Sequence, residues 1–565
     1  MLKRTAPFLF ISLAGLLLSA KFLAGGGFVN ADGGLHTLWA QQFLSSIHSG
    51  NAIPRWVNDS NGGCGSPSFS FYPPFVFYIY ALLGFFIRQV ETIMTLSASL
   101  ALIFSGFSMY LLARSFSGRS AAALSAMIYM ALPYHLMVIY YLSSMAELWA
   151  FFWLPLIFYY VFRPRGVSIA GVAACYAGLL LTHLPTSLLS TPFFVAAAAF
   201  RAWPERKSGA FLRAVGGMAL GGMISAFFLL PAIFEQKYIH IGSVTSMPAE
   251  DFRNNFIFTG RFVYPFVTRT AVYAFAAALL LLFIEFIRKP TGKMVRTLPF
   301  WALSIVISVF IMTSLSTPIW FALPFLKKVQ FPCRILGPAT LFCAASVAAL
   351  LREDRQAVKG GKIFIYGAIA IFVLLNAGLS SSIMRLYRAP LAADMRADMG
   401  TAQFEAGFRA AFNSGQKNTM ADVPEYTPVW STFFFGAYCP ANYAQFADPR
   451  GKTEVLAWGP EYKRLHIIAP AGGRAVLKLF YYPHWKAFLN GRIPLDTSPD
   501  PDTGLLALNL PPGAYDVELR FEKGGWFRAG SAVSITALAL FAAIVFLERR
   551  GKKEKTHGLD QTAGI

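Results

Sequence analysis

Residues Phe71 to Ile87 read FYPPFVFYIYALLGFFI. An unbroken apolar run of this length is just enough for a helix to cross a hydrocarbon core of about 30 Å. Whether it crosses decides the sidedness of everything that follows. An N-terminal run to Leu23 reads as an uncleaved first span. Further apolar runs fall at 93–113, 119–140, 147–162, 167–183, 184–200, 211–231, 271–287, 297–314, 335–351, 363–381 and 527–547.

Basic residues gather in alternate connections between these runs. Arg114 and Arg119 share one connection, and Arg163 and Arg165 another. Arg201, Arg206, Lys207 and Arg213 share a third. Arg288, Lys289, Lys293 and Arg296 share the next, and Arg352, Arg355, Lys359 and Lys362 the one after. Lys3, Arg4 and the tail from Arg549 to Lys555 fall on the same side. Such clusters mark cytoplasmic loops. If 71–87 spanned, every later cluster would face outward. The simpler reading makes it a re-entrant or interfacial helix, whose Pro73-Pro74 start and Tyr and Phe content suit the headgroup region. The expected fold is a polytopic α-helical membrane protein with about 12 spans and both termini cytoplasmic.

Composition agrees. Of 565 residues, 56% are apolar and 14% charged, too little charge to clothe a soluble chain of this size. The net charge of +21 is explained by cytoplasmic loops, so no nucleic-acid partner is expected. The five cysteines, at 64, 175, 333, 343 and 439, form no CxxC pair, which argues against a zinc site or a dense disulfide framework. A Cys64–Cys439 bridge stays open only if both face an oxidising compartment.

This topology leaves three external segments: 24–92, 232–270 and 382–526. The expected domains are a membrane module at 1–381, an extracytoplasmic domain at 382–526, a final span at 527–547 and a basic tail at 548–565. The second domain is β-rich from about 450. Alternating runs at Tyr462–Ile468 and Arg474–Phe480, then Lys486–Leu489, Gly504–Leu510 and Tyr515–Phe521, predict a small β-sandwich. Asn490-Gly491 is a hairpin turn signal. The run Tyr481-Tyr482-Pro483-His484-Trp485 reads foremost as sandwich core, though such aromatics could also stack on a sugar.

Candidate chemistry concentrates in the first external loop. Asp32 follows the first span closely, and a helix beginning after it would set Asp32 and His36 four apart on one face. A carboxylate and an imidazole so placed can share a proton or a metal. Asp32 could equally serve as a helix N-cap. Glu147 opens a span, where a carboxylate is either a cap or a catalyst. His183 sits at an external turn. Lys327, Lys328 and Arg334 are cations on the outer side, where a lipid phosphate is their natural partner. No Walker A, HExxH or GxSxG pattern occurs.

The order of Asp32…His36, Ile53-Pro54-Arg55-Trp56, Gly62–Gly65, Phe71-Tyr72-Pro73-Pro74, Phe331-Pro332-x-Arg334, Pro424-Glu425-Tyr426-Thr427-Pro428-x-Trp430 and Tyr481–Trp485 resembles a bacterial membrane-protein family labelled "6-pyruvoyl-tetrahydropterin synthase-related". It also resembles the C-type glycosyltransferase fold more broadly. The resemblance implies a transferase that uses a polyprenyl-phosphate-linked sugar on the external face of the plasma (inner) membrane. The acceptor would be a glycan, a lipid or a protein, and membrane lipid would be a further partner. Carried over, Asp32 is base or metal ligand and Glu147 a second acid, with His36 as a further catalytic group. Arg55, Asp59, Tyr72, His183, Lys328 and Arg334 would meet substrate or lipid phosphate. Paired acids are common in the first loop of that fold, but here Gly33 follows Asp32. This leaves a divalent cation at Asp32 an open reading, with His36 or Asp59 able to supply the missing group. Two other classes are carried: a transporter or flippase of a lipid-linked saccharide, and a non-catalytic scaffold whose β-domain binds a glycan or a partner.

Overall fold

A computed structural model of the chain describes residues 2–25, 33–203, 208–245, 248–261, 263–287, 297–351, 359–386, 422–431 and 439–562. Asp32, the basic residues Arg206, Lys207, Arg288, Lys289, Lys293, Arg296, Arg352 and Arg355, and most of the first half of the 382–526 segment lie outside them.

Among the described residues, seven helices are long and apolar enough to cross a membrane, or up to nine if two bent pairs each count as one span. The bent pairs are Arg119–Ala131 with Pro133–Leu142, at 43°, and Ser208–Ile224 with Ala226–Phe234, at 72°. The first break follows from Pro133, which pushes Leu132 into extended backbone (φ −64°, ψ 145°). Three further expected spans are helices that fall short of this test. Ile169–Leu180 and Leu298–Ile311 have 12 and 14 residues. Leu184–Ala202 has 19, but its prolines, serines and threonines dilute its hydropathy.

The stretch that decides the topology forms only a ten-residue helix, Phe75–Gly84. At 1.5 Å per residue it is about 15 Å long, half of a hydrocarbon core. Its first amide, Phe75 N, donates to Leu181 O at 2.9 Å, so it starts beside the turn between Ile169–Leu180 and Leu184–Ala202. It ends just before Val90–Arg114, which begins at that same end of the bundle. Three contacts establish this. Trp149 Nε1 near the start of Met145–Phe162 donates to Ser97 Oγ at 3.0 Å. Met145–Phe162 then runs antiparallel to Ile169–Leu180, since Gly178 packs on Trp153 and Gly171 on Tyr160. Both ends of Phe75–Gly84 therefore lie at one end of the bundle.

The first helix runs antiparallel to Val90–Arg114, with Phe8 against Phe107 and Tyr110 and Gly15 against Ile103. In the last helix, Gly525–Thr562, Glu548 accepts from Ile169 N at 2.8 Å. The first residues of the chain and the end of this last span thus share the end opposite the 181–183 turn.

Among the described residues the sandwich has nine strands: β1 (Ala444–Phe446), β2 (Lys452–Trp458), β3 (Tyr462–Ala469), β4 (Gly473–Phe480), β5 (Trp485–Leu489), β6 (Ile493–Leu495), β7 (Thr497–Pro499), β8 (Leu505–Leu510) and β9 (Gly513–Phe521). Two antiparallel sheets form, in the orders β1-β4-β8-β7 and β2-β3-β9-β5-β6. The expected strands are β3, β4, β5, β8 and β9, each within a residue or two. Asn490 and Gly491 both take positive φ, 49° and 71°, and join β5 to β6 as a tight turn demands. In β3, Lys463, Leu465, Ile467 and Ala469 are buried and alternate with residues turned outward.

The three segments expected to be external meet here. Trp56 of the first loop is fully buried in the sandwich core, against Tyr482, Trp485 and Phe521. Gly65 allows this, because its φ is +80° and a Cβ there would lie 2.2 Å from Trp56 Nε1. Cys64 and Cys439 form a disulfide, the bridge that spacing left open, and Phe480 N donates to Cys64 O at 2.8 Å. His240 N donates to Thr427 O at 3.0 Å, and Val429 N to Tyr238 O at 3.1 Å, joining the second and third segments. In the aromatic run, Tyr482 and Trp485 are fully buried; they are sandwich core.

Candidate active site

The first-loop helix begins at Gly33, directly after Asp32. One turn in, His36 is buried, with ring centroids 5.8 Å from Trp39 and 5.6 Å from Tyr72. Trp39 Nε1 donates to Asp422 Oδ1 at 3.2 Å. Ser68 Oγ donates to Asp422 Oδ2 at 2.6 Å, and Asp422 N to Asn61 Oδ1 at 2.9 Å. Burial raises the Asp422 carboxyl, opposed by its serine and backbone hydrogen bonds. This buried carboxylate ties the first loop to the 422–431 segment and fixes the wall on which His36 and Tyr72 sit.

A second part of the site follows the break at Leu132–Pro133. After it, one helical turn and a π-turn (Val138–Leu142) end on Ser143 in the left-handed region, φ 55°. The chain then restarts as Met145–Phe162, with Glu147 in the first turn, where the helix dipole favours a carboxylate. The break also delivers Tyr134, whose hydroxyl donates to Glu147 Oε1 at 2.6 Å. Glu147 is 2% exposed, so losing this buried hydrogen bond would leave an unsatisfied polar group, at a cost of about 1–3 kcal/mol.

Arg334 sits on the 3-10 turn Pro332–Ile335 ahead of Leu336–Leu350. Its guanidinium lies over the Phe331 ring at 5.1 Å, and Nη1 donates to Val329 O at 2.7 Å. A guanidinium has five N–H donors, and this is its one hydrogen bond to a described residue. Arg334, Glu147 and Cys333 are all electrostatic neighbours of the Tyr134 hydroxyl. His183, at the turn ahead of Leu184–Ala202, feels both Arg334 and His36. Burial pulls its imidazole well below the usual value, and the charges on Arg334 and His36 push the same way. His183 is thus neutral at pH 7, with Nδ1 on Thr186 Oγ1 at 2.7 Å.

The structure brings together five of the residues singled out in the sequence: His36, Tyr72, Glu147, His183 and Arg334. Asp32 is outside the described residues. Three others have different partners. Arg55 is buried at the junction of sandwich and bundle, where its backbone N donates to Glu461 Oε1 at 2.6 Å and Nη2 to Phe227 O at 3.0 Å. Burial lowers its guanidinium to about 10, against the pull of Tyr78, Glu461 and Glu235, so it stays charged. Asp59 accepts from Gln42 Nε2 at 2.6 Å and Asn58 Nδ2 at 2.8 Å. Lys328 Nζ donates to Gln236 Oε1 at 2.7 Å. The sequence reading passed over Tyr134 and Asp422. The Leu132-Pro133-Tyr134 break was the available signal for the first. Nothing local marks the second.

Among the described residues no three His, Cys, Asp or Glu side chains group so as to hold a metal ion. The described cluster offers a buried carboxylate fixed by a phenol, a guanidinium with donors to spare and a neutral imidazole. That set can accept a proton and stabilise an anion.

A family model described as "6-pyruvoyl-tetrahydropterin synthase related domain; membrane protein" matches residues 69–386. The chain belongs to this family. In this pterin-synthase-related membrane protein, the matched stretch holds Tyr72, Glu147, His183, Lys328 and Arg334, while Asp32, His36, Arg55, Asp59 and the sandwich lie beyond it. With the described apolar helices, membership makes the chain a helical membrane protein carrying a small C-terminal β-region. No curated protein matches its sequence.

Among solved structures, the chain is similar to arabinofuranosyltransferase AftD from Mycobacteria, at 12% identity over 73% of this chain and 29% of that one, with a TM-score of 0.41. It is also similar to ArnT from Cupriavidus metallidurans, solved with undecaprenyl phosphate, at 15% identity over 72% and 69%, with a TM-score of 0.42. A third is the archaeal oligosaccharyltransferase AglB from Archaeoglobus fulgidus, solved with an inhibitory peptide and a dolichol-phosphate, at 12% identity over 77% and 62%, with a TM-score of 0.43. The chain thus spans under a third of the first and under two thirds of the last.

Proposed function

We propose that this chain is a membrane glycosyltransferase that moves a sugar from a polyprenyl-phosphate donor to a hydroxyl acceptor at the sandwich end of the bundle, on the external face of the plasma membrane. The observation that carries the reading is the meeting of the Tyr134–Glu147 pair with Arg334, His183 and His36. The external side is favoured by the basic loops at the far end and by the Cys64–Cys439 disulfide, which suits an oxidising compartment.

In the proposed step the acceptor oxygen forms a bond to the sugar's anomeric carbon, and the bond from that carbon to the phosphate oxygen breaks. The electron pair leaves with the lipid phosphate, where Arg334 stabilises the anion. The acceptor proton passes to a carboxylate. Glu147, held by Tyr134, is our choice for that base, with Asp32 as a second acid on sequence grounds alone. His36 and the neutral His183 line the acceptor side, and Tyr72 packs against His36. The lipid tail stays in the bilayer while the acceptor comes from water, so no nucleotide-sugar domain is needed.

The test is a deletion strain whose envelope glycans are compared by mass spectrometry. One glycan or glycoconjugate should lose one sugar residue and regain it on complementation with the wild-type gene, but not with Arg334→Ala expressed at equal level. Unchanged glycans in the deletion strain would sink the proposal.

A further inference from the structure

At the end of the bundle away from the sandwich, the turn after Met145–Phe162 and the last helix enclose an open cavity of about 420 Å³. Its polar wall carries Arg163, Arg165 and Arg549, and Phe541 and Val545 of the last helix form an oily flank. The one carboxylate lining it among the described residues, Glu548, is engaged: Oε2 accepts from Ser168 Oγ at 2.6 Å, and Oε1 from Ile169 N at 2.8 Å, with Arg213 at 3.6 Å. It caps the helix Ile169–Leu180 and does not neutralise the wall. Arg163 is held in place, with Nε on Gly166 O at 2.6 Å and the guanidinium over the Tyr160 ring at 5.7 Å. Arg165 and Arg549 are exposed and make no hydrogen bond or ion pair to a described residue.

Basic residues are ordinary at the cytoplasmic end of membrane helices. Three guanidiniums around a concavity, with the one described acid already used, suit an anion. Two features choose among anions. The cavity is several times larger than a phosphate ion, which a water-sized share of about 30 Å³ puts in scale. And its apolar flank belongs to a helix whose Leu538, Phe546 and Leu547 are exposed as a lipid-facing surface would be.

We propose that this cavity binds the phosphate headgroup of an anionic diacyl membrane lipid, with the acyl chains along Phe541 and Val545. Basic pockets between membrane helices are suited to such headgroups, and the planar guanidinium fork matches phosphate oxygens. The site is separate from the proposed transfer site and does not depend on it.

The test uses the full chain in detergent, with lipid adducts counted by native mass spectrometry. The probes are phosphatidylglycerol, phosphatidylcholine and inorganic phosphate. Phosphatidylglycerol should bind in preference to phosphatidylcholine, and millimolar phosphate should not displace it. The double variant Arg165→Gln/Arg549→Gln should weaken phosphatidylglycerol binding on the order of tenfold at an unchanged melting temperature. Arg165→Lys/Arg549→Lys should restore most of it. Equal binding of phosphatidylcholine, full retention in the Gln variant, or displacement by inorganic phosphate would each overturn the proposal; the last would leave a simple anion site.

Discussion

Glu147 and Glu235 are both buried carboxylates, 2% and 3% exposed, and both lie toward the sandwich end of the bundle. Their surroundings differ. Glu235 Oε2 lies 3.1 Å from His484 Nε2, and the Arg55 charge acts on it from nearby. Around it the chain has closed its own circuit: bundle, first loop and sandwich each contribute a member. Glu147 is held by a neutral phenol, and the nearby Arg334 is anchored through a backbone carbonyl. The first arrangement clamps two domains. The second sets a carboxylate held by a phenol near a guanidinium anchored through a backbone carbonyl, and in the proposed reaction a visiting hydroxyl and phosphate meet them. Burial of charge alone does not separate the two; how the charge is partnered does.

The comparison breaks if changes at the clamp act like changes at the open cluster. Clamp variants should lose stability and keep chemistry. The largest effect is expected from Trp56→Ala, which empties a fully buried indole from the sandwich core. A cost of about 3–5 kcal/mol is expected, read as a lower unfolding midpoint and faster proteolysis between bundle and sandwich. Glu235→Ala should cost less, roughly 1–3 kcal/mol, because Arg55 and His484 lose their shared carboxylate; the same protease assay measures it. An undiminished midpoint in both variants would remove the clamp reading.

A further effect concerns pH. Lys463 Nζ is buried in β3 and donates to Asn58 Oδ1 and Gly459 O. Burial lowers its ammonium from 10.5 to about 7, with Asp59 and Glu461 opposing. Between pH 7 and 10 the unfolded chain keeps that proton while the folded chain has shed it. The unfolded state binds more protons there, so stability should rise with pH across this window and flatten below it. Thermal melts of wild type should show the rise, and Lys463→Met should lack it. A fall across the window in wild type alone would contradict the assignment.

Much of this arrangement was legible in the chain. Apolar runs located the helices, because a bilayer tolerates few other backbones. Pro73-Pro74 and the charge of the loops set Phe71–Ile87 apart from the expected spans, and its helix, Phe75–Gly84, has ten residues. Alternation found β3, β4, β5, β8 and β9; the three-residue strands β1, β6 and β7 carry too few positions to show a period. Residues 119–140 read as one span, yet Pro133 breaks it, and that break is what presents Tyr134 to Glu147. The clamp was not legible. Arg55 looked like a phosphate ligand because nothing local reveals Glu461, which is 406 residues away. The Cys64–Cys439 pairing spans 375 residues and depends on a tertiary meeting that no spacing rule contains.

The central claim is that the Glu147 cluster performs transfer chemistry. The direct measurement is sugar transfer from a labelled polyprenyl-phosphate sugar by purified Glu147→Gln, beside its thermal melt. Gln keeps the size and a hydrogen-bond acceptor for Tyr134 but cannot take the acceptor's proton. Transfer is expected to fall by roughly 10²–10⁴-fold with the melting temperature within a few degrees of wild type. Transfer within about twofold of wild type by a folded Glu147→Gln protein, less than the 10² that loss of a general base brings, would contradict the claim.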